Sequence, residues 1–219
     1  MTIKAVGFDV DGTLYPNSAM YLQSAWFALR HLRRVHAYSR VRREIRLRRP
    51  IDDLRVLERE LLAARLGISE TDAARFVDEA IHDGWESILD RVQPFAGVHE
   101  CVQALRAAGL RVGVSSDFPV ARKLGRLGFD GLFDCALWSE ESGYLKPNPE
   151  PFIALSDCLE AEPSQVVYVG NSYDYDIVGA KNVGMTAVHL ARRPIAGGIA
   201  DYTTRSFADL CAWILDRIG

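Results

Sequence analysis

The chain has 219 residues and a net charge of −3, with 48% hydrophobic and 25% charged residues. That balance suits a globular protein with a full core and excludes collagenous, disordered and disulfide-scaffold classes. No apolar run approaches the roughly 20 residues of a bilayer span, and the N-terminal run is too short and too acidic for a signal peptide, so a cytoplasmic protein without membrane contact is expected.

The first predicted element is a strand over Ile3–Phe8, apolar on both sides and ending at Asp9. Such a run fits the middle of a parallel sheet covered on both faces. Residues 17 to 93 hold no convincing strand. They carry three apolar stripes at helical spacing: Tyr21, Ala25, Leu29 and Leu32; then Leu54, Leu57 and Leu61; then Ala73, Phe76, Val77, Ala80, Ile81 and Ile88. Ser69 followed by Asp72 reads as the capping signal of the third. From Pro94 onward strands and helices alternate. Predicted strands are Leu110–Ser115, Cys135–Trp138, Gln165–Val169 and Thr186–Leu190, with a weak one near Asp201–Thr203. Predicted helices are Val98–Ala108, Val120–Leu127, Glu150–Leu159, Asp176–Val183 and Phe207–Ile218. Gly109 and Gly184 each stand just past a helix, where a left-handed stop is expected. The alternation predicts right-handed βαβ crossovers and an open α/β sheet. The helical residues 17–93 form a module inserted into an α/β core of residues 1–16 and 94–219, with Pro16 and Pro94 as its hinges.

Charge is spread unevenly. Residues 30–49 hold nine Arg and one Glu, a local charge of +8, which leaves −11 on the rest of the chain. Such a block either steers an anionic ligand or coats a solvated helix face. Its arginines lie all around a helical wheel, and Tyr38 is the only aromatic residue between Phe27 and Phe76. That offers little stacking surface and argues against nucleic acid as a partner. Cys101, Cys135, Cys158 and Cys211 show neither C-x-x-C nor zinc spacing, so reduced core thiols are expected.

Four segments at predicted strand ends carry chemistry. Asp9-Val10-Asp11-Gly12-Thr13 sets two carboxylates two residues apart, pointing the same way and in need of a counter-charge. Gly12 lets the backbone turn and present amides to an anion. Taken alone, the segment is equally an acidic turn. Val112 to Asp117 ends a strand in Ser115 and Ser116, which are either phosphate donors or turn residues. Lys146, one of four lysines among 22 arginines, lies between Tyr144 and two prolines, as a held point charge or a solvated side chain. Gly170-Asn171-Ser172-Tyr173-Asp174-Tyr175-Asp176 offers oxygen ligands for a hard cation, or N-caps for the following helix.

Together these segments resemble the haloacid dehalogenase-like hydrolase superfamily, through DVDGT at 9–13, VGVSS ending at Ser116, the Lys in GYLKPNPEPF, and VGNSYDYD after the fourth strand. The resemblance spans the chain apart from the inserted module, which corresponds to the family's helical cap. It implies a Rossmann-like parallel core with an all-helical cap, and a Mg2+-dependent phosphatase acting on a small phosphorylated metabolite. Asp9 would be the nucleophile, Asp11 the general acid/base and Lys146 the charge-balancing residue. Gly12, Thr13, Ser116 and Asp117 would bind the phosphoryl group. Asp9, Asp11, Asn171 and Asp176 would hold Mg2+. Asp11 favours phosphate esters over carbon–halogen bonds, because a departing halide needs no proton. Asn171 departs from the pattern, standing where Asp is usual, and the resemblance then implies weaker Mg2+ binding unless Asp176 or Asp174 compensates. A second reading remains: a feeble family member that binds anions or nucleic acid through its Arg-rich cap.

Overall fold

Six parallel strands form one sheet in the order β3-β2-β1-β4-β5-β6 in the computed structural model, which describes residues 2–18, 29–84, 89–90 and 92–218. The strands are β1 (Ala5–Phe8), β2 (Arg111–Ser116), β3 (Cys135–Trp138), β4 (Val166–Gly170), β5 (Thr186–Leu190) and β6 (Tyr202–Thr204). Each predicted strand is present, with shifts of a few residues at the ends. β1 lies between β2 and β4, with Phe8 opposite Val114 on one side and Val169 on the other. Chain order reverses here, so the crevice beyond its carboxyl end is the expected ligand site.

Side-chain alternation explains the layers. Val6 and Phe8 of β1 join Val112, Val114, Val167 and Val169 under α4 (Val98–Ala107) and α8 (Phe207–Leu215). Ala5 and Tyr168 face the other way, under α6 (Pro149–Cys158) and α7 (Val178–Asn182). A Cβ on Gly7 would lie 2.5 Å from Leu155, so glycine permits α6 to press onto the sheet. Gly109 and Gly184 take the expected left-handed conformation, with φ of 86° and 85°. The short α5 (Ala121–Arg126) follows β2.

Between β1 and β2 the described residues are helical. α1 spans Leu32–Ile45 and α2 spans Leu54–Leu66, while α3 (Glu70–Arg75) runs on into a π-helical stretch, Phe76–Asp83. Asp53 caps α2 by accepting from Val56 N–H at 3.0 Å, and Ser69 caps α3 by accepting from Asp72 N–H at 3.1 Å. The second and third apolar stripes supply this module's core through Leu54, Ala73, Phe76, Val77 and Ile81. The first stripe does not, in its described part. Leu29 and Leu32 are 66% and 64% exposed, and α1 instead buries Ala37, Tyr38, Val41 and Ile45. Tyr21, Ala25 and Ile88 lie outside the described residues.

Two expectations are corrected. Cys135 and Cys158 form a disulfide rather than two reduced thiols; α6 packs against β3 and brings its last residue beside that edge strand. Cys101 and Cys211 are free. The Arg block, for its part, neither faces a cleft as a whole nor merely coats a helix. Arg42 is buried and binds Glu58 of α2, Glu140 of the core and the Asp117 carbonyl. Arg46 binds the Asp117 carboxylate, and its Nε donates to the Lys146 carbonyl at 2.7 Å. Arg49 pairs with Glu150 and donates to Asn148 Oδ1 at 2.8 Å. These three side chains fasten the helical module to the core.

Burial pushes Glu140 up to about 7; Arg42 pulls the other way, and Glu58 adds to the rise. Between about pH 4.5 and 7 the folded chain therefore holds a proton there that the unfolded chain releases, and stability declines as pH rises through that window. Glu140→Gln should flatten that slope in denaturant titrations run at a series of pH values; an unchanged slope contradicts the assignment. Arg42→Ala leaves Glu58 and Glu140 buried without their guanidinium and, above about pH 7 where Glu140 is ionised, should lower the unfolding free energy by about 3–5 kcal/mol, measured by urea denaturation; a loss under about 1 kcal/mol, the value of a surface pair, would show that the joint carries little.

Candidate active site

Asp9 follows β1 directly, and its N–H donates to the Val169 carbonyl at 2.9 Å, which carries the ladder one residue beyond the strand. The chain then turns sharply through Gly12 at φ 91°, where a Cβ would lie 2.3 Å from the side-chain nitrogens of both Asn17 and Asn171. The turn needs a residue without a side chain. It brings Thr13 back onto Asp9: the hydroxyl donates to Asp9 Oδ2 at 2.8 Å and accepts from Asn171 N–H at 3.1 Å.

Lys146 reaches the same place from the far side. Its Nζ donates to Asp9 Oδ1 and Asp176 Oδ1, each at 2.7 Å, and bonds Tyr168 Oη at 3.0 Å and the Ser115 carbonyl at 3.2 Å. The residue is buried. Burial works against its charge, but Asp176 and Asp9 outweigh that and hold the ammonium well above its usual range. Asp9 shifts the other way for a carboxyl, up to about 7, because burial and the nearby Asp176 together exceed the pull of Lys146. Asp176 gives its second oxygen to Ser172 N–H at 2.9 Å. Gly170 makes room for this, since a Cβ there would sit 2.3 Å from that of Asp176.

Asp11 occupies a different environment. Lys123 Nζ stands 2.7 Å from each of its oxygens. Ser116 Oγ donates to Oδ2 at 2.7 Å and the Tyr15 hydroxyl donates to Oδ1. Burial alone would raise this carboxyl; Lys123 first, then Tyr15 and Ser116, bring it below the ordinary carboxylate range. Two aspartates on one strand end are thus sorted by two lysines, one to each.

Asp9, Asp11, Gly12, Thr13, Ser116, Lys146, Asn171 and Asp176 meet at the carboxyl ends of β1, β2 and β4. Asp117 stands at their edge, with its carboxylate on Arg46 and on Lys146 N–H. Asp174 is exposed. Lys123, Tyr15 and Tyr168 belong to the site and carry no motif. Lysine scarcity, the signal that marks Lys146, also marks Lys123, because two of the four lysines in the chain sit on these two aspartates.

A family model described as haloacid dehalogenase-like hydrolase matches residues 3–184. The chain belongs to this family. Glyceraldehyde 3-phosphate phosphatase of Methanopyrus kandleri is 33% identical to this hydrolase over 227 residues, covering 98% of this chain and 94% of the relative. Among solved structures, a HAD phosphatase from Thermococcus onnurineus aligns with a TM-score of 0.65 at 25% identity, covering 98% and 99% of the two chains. A 2-haloacid dehalogenase from Pseudomonas syringae aligns with a TM-score of 0.66 at 26% identity over the whole of both chains. The fold is common to phosphate-ester and carbon–halogen chemistry, so residues must separate them.

Among the described residues no group of three or more His, Cys, Asp or Glu is arranged to hold a metal. Asp9 Oδ2 and Asn171 Oδ1 nevertheless lie 2.8 and 3.3 Å from the same Thr13 hydroxyl, so two oxygen atoms converge. Burial first and Asp176 second raise the Asp9 carboxyl against the pull of Lys146, so a further cation beside it would favour its charged form. Both observations fit Mg2+, which keeps several waters and needs few protein ligands. Asn171→Asp should therefore tighten Mg2+ binding in a calorimetric titration; unchanged or weaker affinity would count against Asn171 as a ligand.

Proposed function

We propose that this hydrolase is a Mg2+-dependent phosphatase of small phosphorylated metabolites, working through an aspartyl-phosphate on Asp9. The observation that carries the reading is Asp11, a second carboxylate held beside Ser116 at the same strand end. A halide leaves unprotonated and gives such a group nothing to do; an alkoxide leaving phosphorus needs a proton. A glyceraldehyde 3-phosphate phosphatase among the relatives supports the same side and favours a small phosphorylated substrate.

In the first step an Asp9 oxygen bonds to phosphorus and the bond from phosphorus to the leaving oxygen breaks, with its electron pair going to that oxygen. Asp11 passes it a proton. The monoester itself supplies this proton, since its second ionisation near pH ~6 leaves a protonated fraction at neutrality. In the second step water bonds to phosphorus, its proton goes to Asp11, and the Asp9 carboxylate departs. Ser116, Thr13 and main-chain amides near Gly12 and Asp117 would hold the phosphoryl oxygens, while Lys146 offsets the charge gathered between Asp9 and phosphate. Asp9, the Asn171 side-chain oxygen and the Asp11 carbonyl would hold Mg2+, which adds positive charge at the phosphoryl oxygens. Asp176, expected from the sequence as a further Mg2+ ligand, has one oxygen on Lys146 and the other on Ser172 N–H, and would instead serve this set by fixing Lys146.

The alternative, a binding protein working through its Arg-rich cap, has less support. Arg42, Arg46, Arg48 and Arg49 are already engaged with carboxylates of the chain itself. No described helix is long and apolar enough to cross a membrane. With p-nitrophenyl phosphate, small sugar phosphates and Mg2+, the protein should release phosphate, and Asp9→Asn should abolish that release. No turnover across such a panel, or turnover that survives in Asp9→Asn, contradicts the proposal.

A further inference from the structure

Lys123 is the least expected member of the site. It belongs to α5 rather than to a strand end, and its side chain is only 6% exposed. A buried lysine needs a strong reason, because burying an ammonium costs several kcal/mol unless it is paired. The pairing here is symmetrical. Nζ sits 2.7 Å from both oxygens of Asp11, so one ammonium spans the whole carboxylate. It also lies 3.5 Å from Ser116 Oγ and 5.6 Å from the centre of the Phe118 ring, whose face favours a cation.

This contact fixes more than charge. A carboxylate held through one oxygen can rotate about its χ2 torsion, which is broad and roughly two-fold. Asp11 is held at both oxygens by Lys123, at Oδ1 also by Tyr15 and at Oδ2 also by Ser116. The donors come from three separate places: the turn after β1, the end of β2, and α5. Neutralisation alone would be met by a single oxygen contact, as Lys146 makes to Asp9. Rigid placement of the carboxylate plane is what the added contacts supply, and placement matters most for a group that must meet a leaving oxygen opposite Asp9.

We infer that Lys123 is a positioning residue: it holds the Asp11 carboxylate in the orientation from which a proton reaches the leaving-group oxygen. The inference rests on the phosphatase reading, and its test can fail separately from it. It assigns Lys123 no contact with substrate. Its removal therefore slows the water-activating second step for every ester alike, and slows the first step further only for esters whose leaving oxygen needs the proton. p-Nitrophenolate departs readily without protonation, whereas the alkoxide of glycerol phosphate does not.

The experiment compares kcat and KM for p-nitrophenyl phosphate and glycerol phosphate in the unmodified protein, Lys123→Met and Lys123→Arg. General acid–base catalysis is worth about 10²–10⁴-fold. Lys123→Met should lower kcat/KM, which reports the step that expels the leaving group, at least about tenfold more on glycerol phosphate than on p-nitrophenyl phosphate. Lys123→Arg keeps the charge but not the geometry, and should fall between the two; it carries the same test should Lys123→Met fail to fold. Equal losses of kcat/KM on both esters in the folded variants would show a merely structural lysine, and a rise in KM with kcat unchanged would show a substrate-binding one; either overturns the inference while the phosphatase reading stands. Absence of turnover on both esters by the unmodified protein would overturn both together.

Discussion

The site depends on one buried ammonium. Lys146 Nζ ties Asp9, beyond the end of β1, to the Ser115 carbonyl of β2, to Tyr168 of β4 and to Asp176 beyond β4. Without it two carboxylates would face each other away from water, an arrangement that protonation or another cation must relieve. The main chain of the same residue accepts from Arg46 and donates to Asp117, two members of the joint between helical module and core. One residue therefore links the placement of the module to the environment of Asp9. Arg42, Arg46 and Arg49 of the Arg-rich stretch serve this joint.

The two aspartates show how environment divides labour between identical side chains. Asp9 is buried, near Asp176, and stays short of positive charge despite Lys146. Asp11 is surrounded by donors that hold its carboxyl below the ordinary range, so it starts ionised and takes up the proton it passes on. In the proposed reaction Asp9 would be the nucleophile and Asp11 the group already oriented for proton transfer. The Asn171 amide completes the picture. It supplies an oxygen beside Asp9 without a further negative charge, in a site that already has more acid than it can neutralise.

Much of this was legible in the sequence because the signals are local. The β1 run fixes where Asp9 and Asp11 emerge, Gly12 fixes the turn that returns Thr13, and the strand-and-loop patterns place Ser116, Lys146 and Asn171 at neighbouring strand ends. What was not legible depends on contacts between distant segments. Lys123 is a single lysine on a six-residue helix, and nothing in its neighbourhood says that it reaches Asp11, 112 positions earlier. Arg42 reads as one arginine of nine until Glu58 and Glu140 close around it. Cys135 and Cys158 are separated by 23 residues, and only the packing of α6 on β3 makes them neighbours.

The central claim is that the Asp9 carboxylate itself bonds to phosphorus. Rapid acid quenching during turnover, borohydride reduction of any acyl phosphate, and mass spectrometry of the peptide spanning residues 5–15 test it directly. The account predicts homoserine at position 9 in protein quenched with substrate, and none in protein quenched without it. Unmodified Asp9 in a protein that is releasing phosphate, or reduction at another carboxylate, would contradict it.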